Sequence, residues 1–213
     1  MTALVKICGL TTPLALDSAL EAGADLVGAV VFPKSPRHLE PEAAGALFGP
    51  ARGRARIVAV TVDATDVLLD RIMAGLAPDL IQLHGSETPE RAAQVAARTG
   101  AGVIKAVAVR TAADIQAARV FEPVVDYLMF DARPPEGSIL PGGVGASFDW
   151  SLMAGQAFAK PWFLAGGLTP ENVAEALRIT GAPLLDVSSG VESAPGVKEP
   201  GRIAAFIRAA KQP

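Results

Sequence analysis

Apolar residues along this chain gather into eight short runs, at 3–8, 25–32, 56–62, 80–84, 103–109, 127–131, 161–165 and 184–187. Within each run they are close to continuous rather than alternating. That is the pattern of strands covered on both faces, as in a parallel sheet. The runs start about 25 residues apart, close to the length of one βα unit. Between them, apolar positions recur at helical spacing, predicting helices over 13–22, 42–48, 65–76, 89–98, 112–120, 170–179 and 199–210. Thr12, Thr88, Thr111 and Thr169 stand as N-caps, Gly23, Gly100 and Gly181 as stops, and Pro13, Pro89 and Pro170 as first helical residues. Residues 148–154 predict a short sixth helix. The one long irregular stretch, 132–147 (ARPPEGSILPGGVGAS), has the length of a functional loop after the sixth strand.

Strands and helices that alternate throughout predict the α/β class. Eight of each favour a closed (β/α)8 TIM barrel over a doubly wound open sheet. The first strand runs into ICGLTTP, which lacks the glycine fingerprint of a dinucleotide fold.

Composition narrows the picture further. A chain of 213 residues is expected to form a single domain around one core. Half of it is hydrophobic and only 5% aromatic, which suits packing of Ala, Val, Leu and Ile between helices and sheet. A net charge of −3, with no basic tract, argues against nucleic acid as a partner. One cysteine excludes an internal disulfide. No apolar stretch is long enough to span a bilayer, and MTALVKICGL does not read as a secretory leader, so a cytoplasmic protein without a membrane partner is expected. Two histidines and one cysteine at no ligand spacing predict no metal site, and no cofactor motif is present.

In such a barrel, chemistry sits at the C-terminal strand ends. Those positions hold Cys8, Arg37, Asp63, Gln82, His84, Asp131, Gly166–Gly167 and Ser188–Gly190. A free cysteine is commonly just a small buried hydrophobe. At a strand tip, with a cation nearby to lower its pKa, Cys8 becomes a competent base. Asp131 closes an apolar strand just before the long loop, where a partly desolvated carboxyl can hold a proton for donation. Asp63 reads as a helix cap instead. Arg37 presents a planar fork suited to a carboxylate. The glycine turns after strands seven and eight, with Gly166, Gly167, Ser188, Ser189 and Gly190, suit a phosphate held by backbone N–H groups. Gln82 and His84 are expected to line the site. Lys6, two residues before Cys8, faces the same side.

The stretches VKICGLT (5–11), ADLVGAVVFPKSPRHL (24–39), IQLHGSE (81–87), LMFDAR (128–133), GGVGASFDW (142–150), AGGLTPENV (165–173) and DVSSGVESAPGVKEPGRI (186–203) together resemble the phosphoribosylanthranilate isomerase family. The resemblance implies an Amadori rearrangement, the third step from chorismate towards tryptophan. It converts N-(5-phosphoribosyl)anthranilate into 1-(2-carboxyphenylamino)-1-deoxyribulose 5-phosphate, without a cofactor. It further implies Cys8 as general base, Asp131 as general acid, Arg37 on the anthranilate carboxylate, and the backbone of Gly166–Gly167 and Ser188–Gly190 on the phosphate. A monomer or homodimer acting on a small phosphorylated substrate is expected. The chain departs from the family at Val144, where a polar residue is usual, and in its proline-rich 134–141. Two other readings remain: the sister isomerase of histidine biosynthesis, which carries aspartate where this chain has Cys8, and a non-catalytic phosphate-binding barrel. An indole-forming synthase would need a catalytic lysine that Lys6 replaces poorly.

Overall fold

The computed structural model describes residues 2–133, 137, 142–143 and 145–212. The eight expected strands are β1 (Leu4–Cys8), β2 (Leu26–Val30), β3 (Arg56–Thr61), β4 (Leu80–Leu83), β5 (Gly102–Val109), β6 (Tyr127–Ala132), β7 (Trp162–Leu164) and β8 (Leu184–Val187). They pair in parallel in chain order. β8 then closes on β1, with Lys6 opposite Asp186 and Ile7 opposite Val187. The helices around them are α1 (Pro13–Glu21), α2 (Pro41–Phe48), α3 (Asp66–Gly75), α4 (Pro89–Thr99), α5 (Ala112–Ala117), α6 (Val173–Thr180) and α7 (Pro200–Lys211). The predicted α/β barrel is the observed fold.

The period-2 geometry of a strand explains why near-continuous apolar runs are needed here. One set of side chains, including Leu26, Val58, Leu80, Ile104, Met129, Phe163 and Leu184, fills the barrel interior. The alternate set, including Ile7, Val27, Ile57, Ile81, Val103, Leu128, Leu164 and Leu185, packs outward under the helices. A strand buried on both sides leaves no position for a polar residue unless it has a partner or a function.

The structure corrects four local expectations. Helix 170–179 begins only at Val173, because Asn172 holds a turn ahead of it: Thr169 N–H donates to Asn172 Oδ1 at 2.7 Å, and Asn172 Nδ2 donates to the Gly167 carbonyl at 2.9 Å. The sixth helix expected at 148–154 is a single 3-10 turn, Trp150–Met153, begun by Asp149 accepting from Ser151 N–H. Asp63 does not cap α3. Thr65 does, accepting from Leu68 N–H, while Asp63, at φ +47°, accepts from Ser86 N–H at 2.8 Å and so ties the loops after β3 and β4 together. After β8 the chain makes a 3-10 turn, Ser189–Val191, and a small antiparallel hairpin, β9 (Glu192–Ala194) with β10 (Val197–Lys198), which the periodicity did not show. The departures noted at 134–141 and Val144 lie outside the described residues, except for Gly137.

Phe163 is fully buried at the centre of the barrel interior, whereas Val67 on α3 is 71% exposed. Phe163→Ala is therefore expected to lower unfolding free energy by about 3–5 kcal/mol, and Val67→Ala by at most about 0.5 kcal/mol. Denaturant titration of both variants measures this. Equal midpoints would contradict the assignment of Phe163 to the load of the core.

Candidate active site

A cavity of about 800 Å³, counting its open mouth, lies at the C-terminal ends of the strands. Cys8, Arg37, Gln82, His84, Asp131, Gly166, Gly167, Ser188, Ser189 and Gly190 all line it. Residues from strands one, four, six, seven and eight and from the segment after β2 thus meet in one place.

Asp131 is the penultimate residue of β6 and faces into the barrel. Its Oδ1 accepts from Ala132 N–H at 2.8 Å, and its Oδ2 lies 3.2 Å from His84 Nε2. The histidine is held in turn by Gln82, whose Nε2 donates to His84 Nδ1 at 2.8 Å. With the amide in this orientation, which leaves Gln82 Oε1 without a partner among the described residues, Nδ1 accepts and the ring hydrogen sits on Nε2, facing Asp131. Ala132 N–H and His84 Nε2 thus both meet the Asp131 carboxyl group. Behind it Gly166 adopts φ +83°, and a Cβ there would fall 2.5 Å from Ala132 N. Only glycine lets the turn after β7 approach the acid this closely.

Cys8 ends β1 and is buried at the floor of the cavity. The cation expected beside it is present: Lys6, one side-chain layer below, whose Nζ is 2.8 Å from Asp186 Oδ1. Its effect is smaller than expected. Burial pushes the thiol up, Asp186 adds to that, and the pull of Lys6 and Lys198 does not overcome the two, so Cys8 rests above the ordinary thiol range. The expectation of a lowered pKa is corrected accordingly.

Arg37 reaches the cavity because its segment folds back on β2, with Leu39 N–H donating to the Val30 carbonyl at 2.9 Å. Its fork is not wholly available for a ligand. Nε and Nη2 both donate to Glu192, each at 2.7 Å, and Nη2 also reaches the Gly143 carbonyl at 3.2 Å. Nη1 has no partner among the described residues. A bidentate grip on a carboxylate through the Nε edge is thereby excluded, and Nη1 is the atom left to meet one. Glu192 also binds Lys198, whose Nζ donates to the carbonyl and hydroxyl oxygens of Ser188 at 3.1 and 3.2 Å. Burial pushes the Glu192 carboxyl up, but the hydrogen bonds and charges of Arg37 and Lys198 outweigh it and leave it below its ordinary value. Two cations against one carboxylate give this side of the cavity a positive bias.

The turns Gly166–Gly167, beside Asp131, and Ser188–Gly190, beside Cys8, both line the cavity. Backbone N–H groups in such turns, with the Lys198 ammonium behind Ser188, suit a phosphate dianion. Asp186, Glu192 and Lys198 escaped the reading of the sequence. For Asp186 a signal exists: it is a lone acid inside the apolar run LLDV, two positions before Ser188 and so on the same face. Among the described residues no group of three or more His, Cys, Asp or Glu is placed to hold a metal ion. No helix there is long and apolar enough to cross a membrane.

Comparison with known proteins agrees from end to end. The family model of N-(5'phosphoribosyl)anthranilate (PRA) isomerase matches residues 5–209. An N-(5'-phosphoribosyl)anthranilate isomerase of Caulobacter sp. (strain K31) is 58% identical over 97% of this chain and 98% of its own length. The crystal structure of phosphoribosyl anthranilate isomerase from Thermotoga maritima superposes with a TM-score of 0.88 at 34% identity, covering 98% of both chains. A further structure, a phosphoribosyl anthranilate isomerase in complex with reduced 1-(o-carboxyphenylamino)-1-deoxyribulose 5-phosphate, matches with a TM-score of 0.83 at 32% identity over 98% of each chain. Eight parallel strands, the cavity at their ends and these likenesses over nearly the whole length lead to one conclusion: the chain belongs to the N-(5'-phosphoribosyl)anthranilate isomerase family.

Proposed function

We propose that the isomerisation of N-(5'-phosphoribosyl)anthranilate, the tryptophan-pathway reaction of this family, runs here between Cys8 as general base and Asp131 as general acid. The observation that carries this reading is their placement in one cavity, on strands at different points of the barrel wall, with two glycine-containing turns and an arginine also lining it. The substrate has an anionic group at each end. Its phosphate fits the amides of Gly166–Gly167 and Ser188–Gly190, and its carboxylate meets Arg37 Nη1. The complex of a relative with the reduced product supports this choice of ligand.

The reaction is an internal redox exchange between neighbouring sugar carbons, so it needs proton transfers and no external electron carrier. Asp131 gives its proton to the furanose ring oxygen as the C1′–O bond breaks. The anthranilate nitrogen's lone pair fills the gap and forms an iminium. The Cys8 thiolate takes the proton from C2′, and the C–H electron pair moves into C1′–C2′ while the C=N electrons return to nitrogen. The resulting enol tautomerises: its hydroxyl proton leaves and C1′ gains one, giving the ketone. The iminium's positive charge favours the neighbouring thiolate at the moment it is needed, which offsets the resting preference of Cys8 for the thiol.

Nothing in the comparisons favours the sister isomerase of histidine biosynthesis, and Cys8 stands where that family has aspartate. We take the chain to act as a single domain in the cytoplasm. The Thermotoga maritima relative is described as dimeric, with monomers generated from it, which is the ground for expecting a monomer or a homodimer here.

Removing either group is expected to lower kcat by about 10²–10⁴-fold while changing KM little. Steady-state fluorescence assays of Cys8→Ala and Asp131→Ala test this, and near-normal kcat in either removes that residue from its role. Because turnover needs a protonated acid together with the Cys8 thiolate, kcat/KM should be bell-shaped, and because the free-enzyme thiol is raised, its alkaline limb should lie above the ordinary thiol value. An alkaline limb well below that value speaks against Cys8. Arg37→Ala is expected to raise KM at least tenfold with a smaller effect on kcat. An unchanged KM would detach Arg37 from the carboxylate.

A further inference from the structure

Lys6 is a lysine without any solvent exposure inside a barrel whose neighbouring interior positions, Leu26, Val58, Leu80 and Ile104, are apolar. Stability alone does not call for it, since a buried ion pair generally does no better than an apolar filling of similar volume. Its location suggests another purpose. Residues 6 and 8 of β1 point the same way, and both crowd the gap left by Gly28 on β2. A Cβ on Gly28 would lie 3.2 Å from Cys8 Sγ and 3.3 Å from Lys6 Cε. A methyl group at that point would push the lysine stem and the sulfur apart. Asp186, across the seam on β8, fixes the ammonium at 2.8 Å.

We propose that Lys6, clamped by Asp186 beneath the sulfur, is a positioning residue of the reaction and the charge partner of the Cys8 thiolate as it forms. This rests on the reading of Cys8 as the base. The charged groups that face the sulfur are Lys6 from β1, Asp186 from β8, Lys198 from β10 and Arg37 from the segment after β2; β2 itself offers only Gly28. Arg37 and Lys198 share Glu192 as counter-ion, whereas Lys6 is paired with Asp186. Lys6 pulls on the sulfur more strongly than Asp186 pushes, so the buried pair acts as an oriented dipole with its positive end towards Cys8. Burial opposes the lysine's charge, yet Asp186 and Cys8 together hold its pKa above the ordinary value, so the ammonium persists wherever the enzyme works.

Cys8 is the only cysteine in the chain, so alkylation by iodoacetamide reports on it alone. In the variant Lys6→Met with Asp186→Asn, no buried charge is left unpaired. Its alkylation midpoint is expected to rise by about one pH unit, a tenfold slowing at fixed pH, with the kcat/KM limb moving in parallel and Tm close to that of the parent. Asp186→Asn alone removes the opposing acid, so its midpoint should fall, which keeps the test decisive if the double variant folds poorly. Lys6→Arg retains a cation and should restore most of the parent profile. A folded double variant with an unmoved alkylation midpoint, or a rise in Asp186→Asn, overturns the proposal. A midpoint that moves while the kcat/KM limb stands still upholds Lys6 as the thiolate's partner and removes Cys8 as the base.

Discussion

The seam where β8 closes on β1 is the constraint on which this molecule turns. Closure sets Lys6 against Asp186 and Ile7 against Val187, and the same register brings Ser188 to Cys8, whose carbonyl accepts from the Ser188 hydroxyl at 3.2 Å. A sheet left open at this seam would separate the sulfur from the last glycine turn by the width of the barrel. The apolar interior holds the ring shut, and its own side chains stop short of the mouth, where Gln82, Asp131 and Asp186 replace Leu, Ile and Phe.

Charge at the mouth is arranged by local pairing, as it must be in a protein with a net charge of −3 whose substrate carries an anionic group at each end. Glu192 is the organising group. It fixes one edge of Arg37 and anchors Lys198 under the turn at Ser188. A lone arginine would have to give up rotamer freedom on binding; an arginine already clamped on two nitrogens has done so in the folded state. The hairpin of β9 and β10 exists to bring Glu192 and Lys198 back over the barrel, which gives a structural purpose to seven residues with no periodicity of their own.

The barrel was legible because its signal is redundant: eight apolar runs, threonine caps and glycine stops all agree on the same architecture. Cys8, Asp131 and the two glycine turns could be picked out because strand ends are the functional positions of this fold. The failures have physical causes. The sequence pattern starts helix 170–179 three residues early because the Asn172 side chain spans a loop, and a propensity pattern holds no record of that bond. Asp63 has the sequence position of a cap, and its distance in sequence to Ser86 hides their contact in space. The fork of Arg37 looks wholly free in the sequence because Glu192, 155 positions away, is invisible until the hairpin folds. For Cys8 the sequence shows the right cation, but the cost of burial is a property of the packed state.

A crystal structure of this protein with reduced 1-(o-carboxyphenylamino)-1-deoxyribulose 5-phosphate shows whether a thiol and a carboxyl group address opposite sides of one bound sugar. The expected complex has C2′ next to Cys8 Sγ, the sugar between that sulfur and Asp131, the carboxylate on Arg37 Nη1 and the phosphate on the turns after β7 and β8. A ligand held with C2′ turned away from the sulfur, or with its phosphate at the Arg37 end, would contradict it.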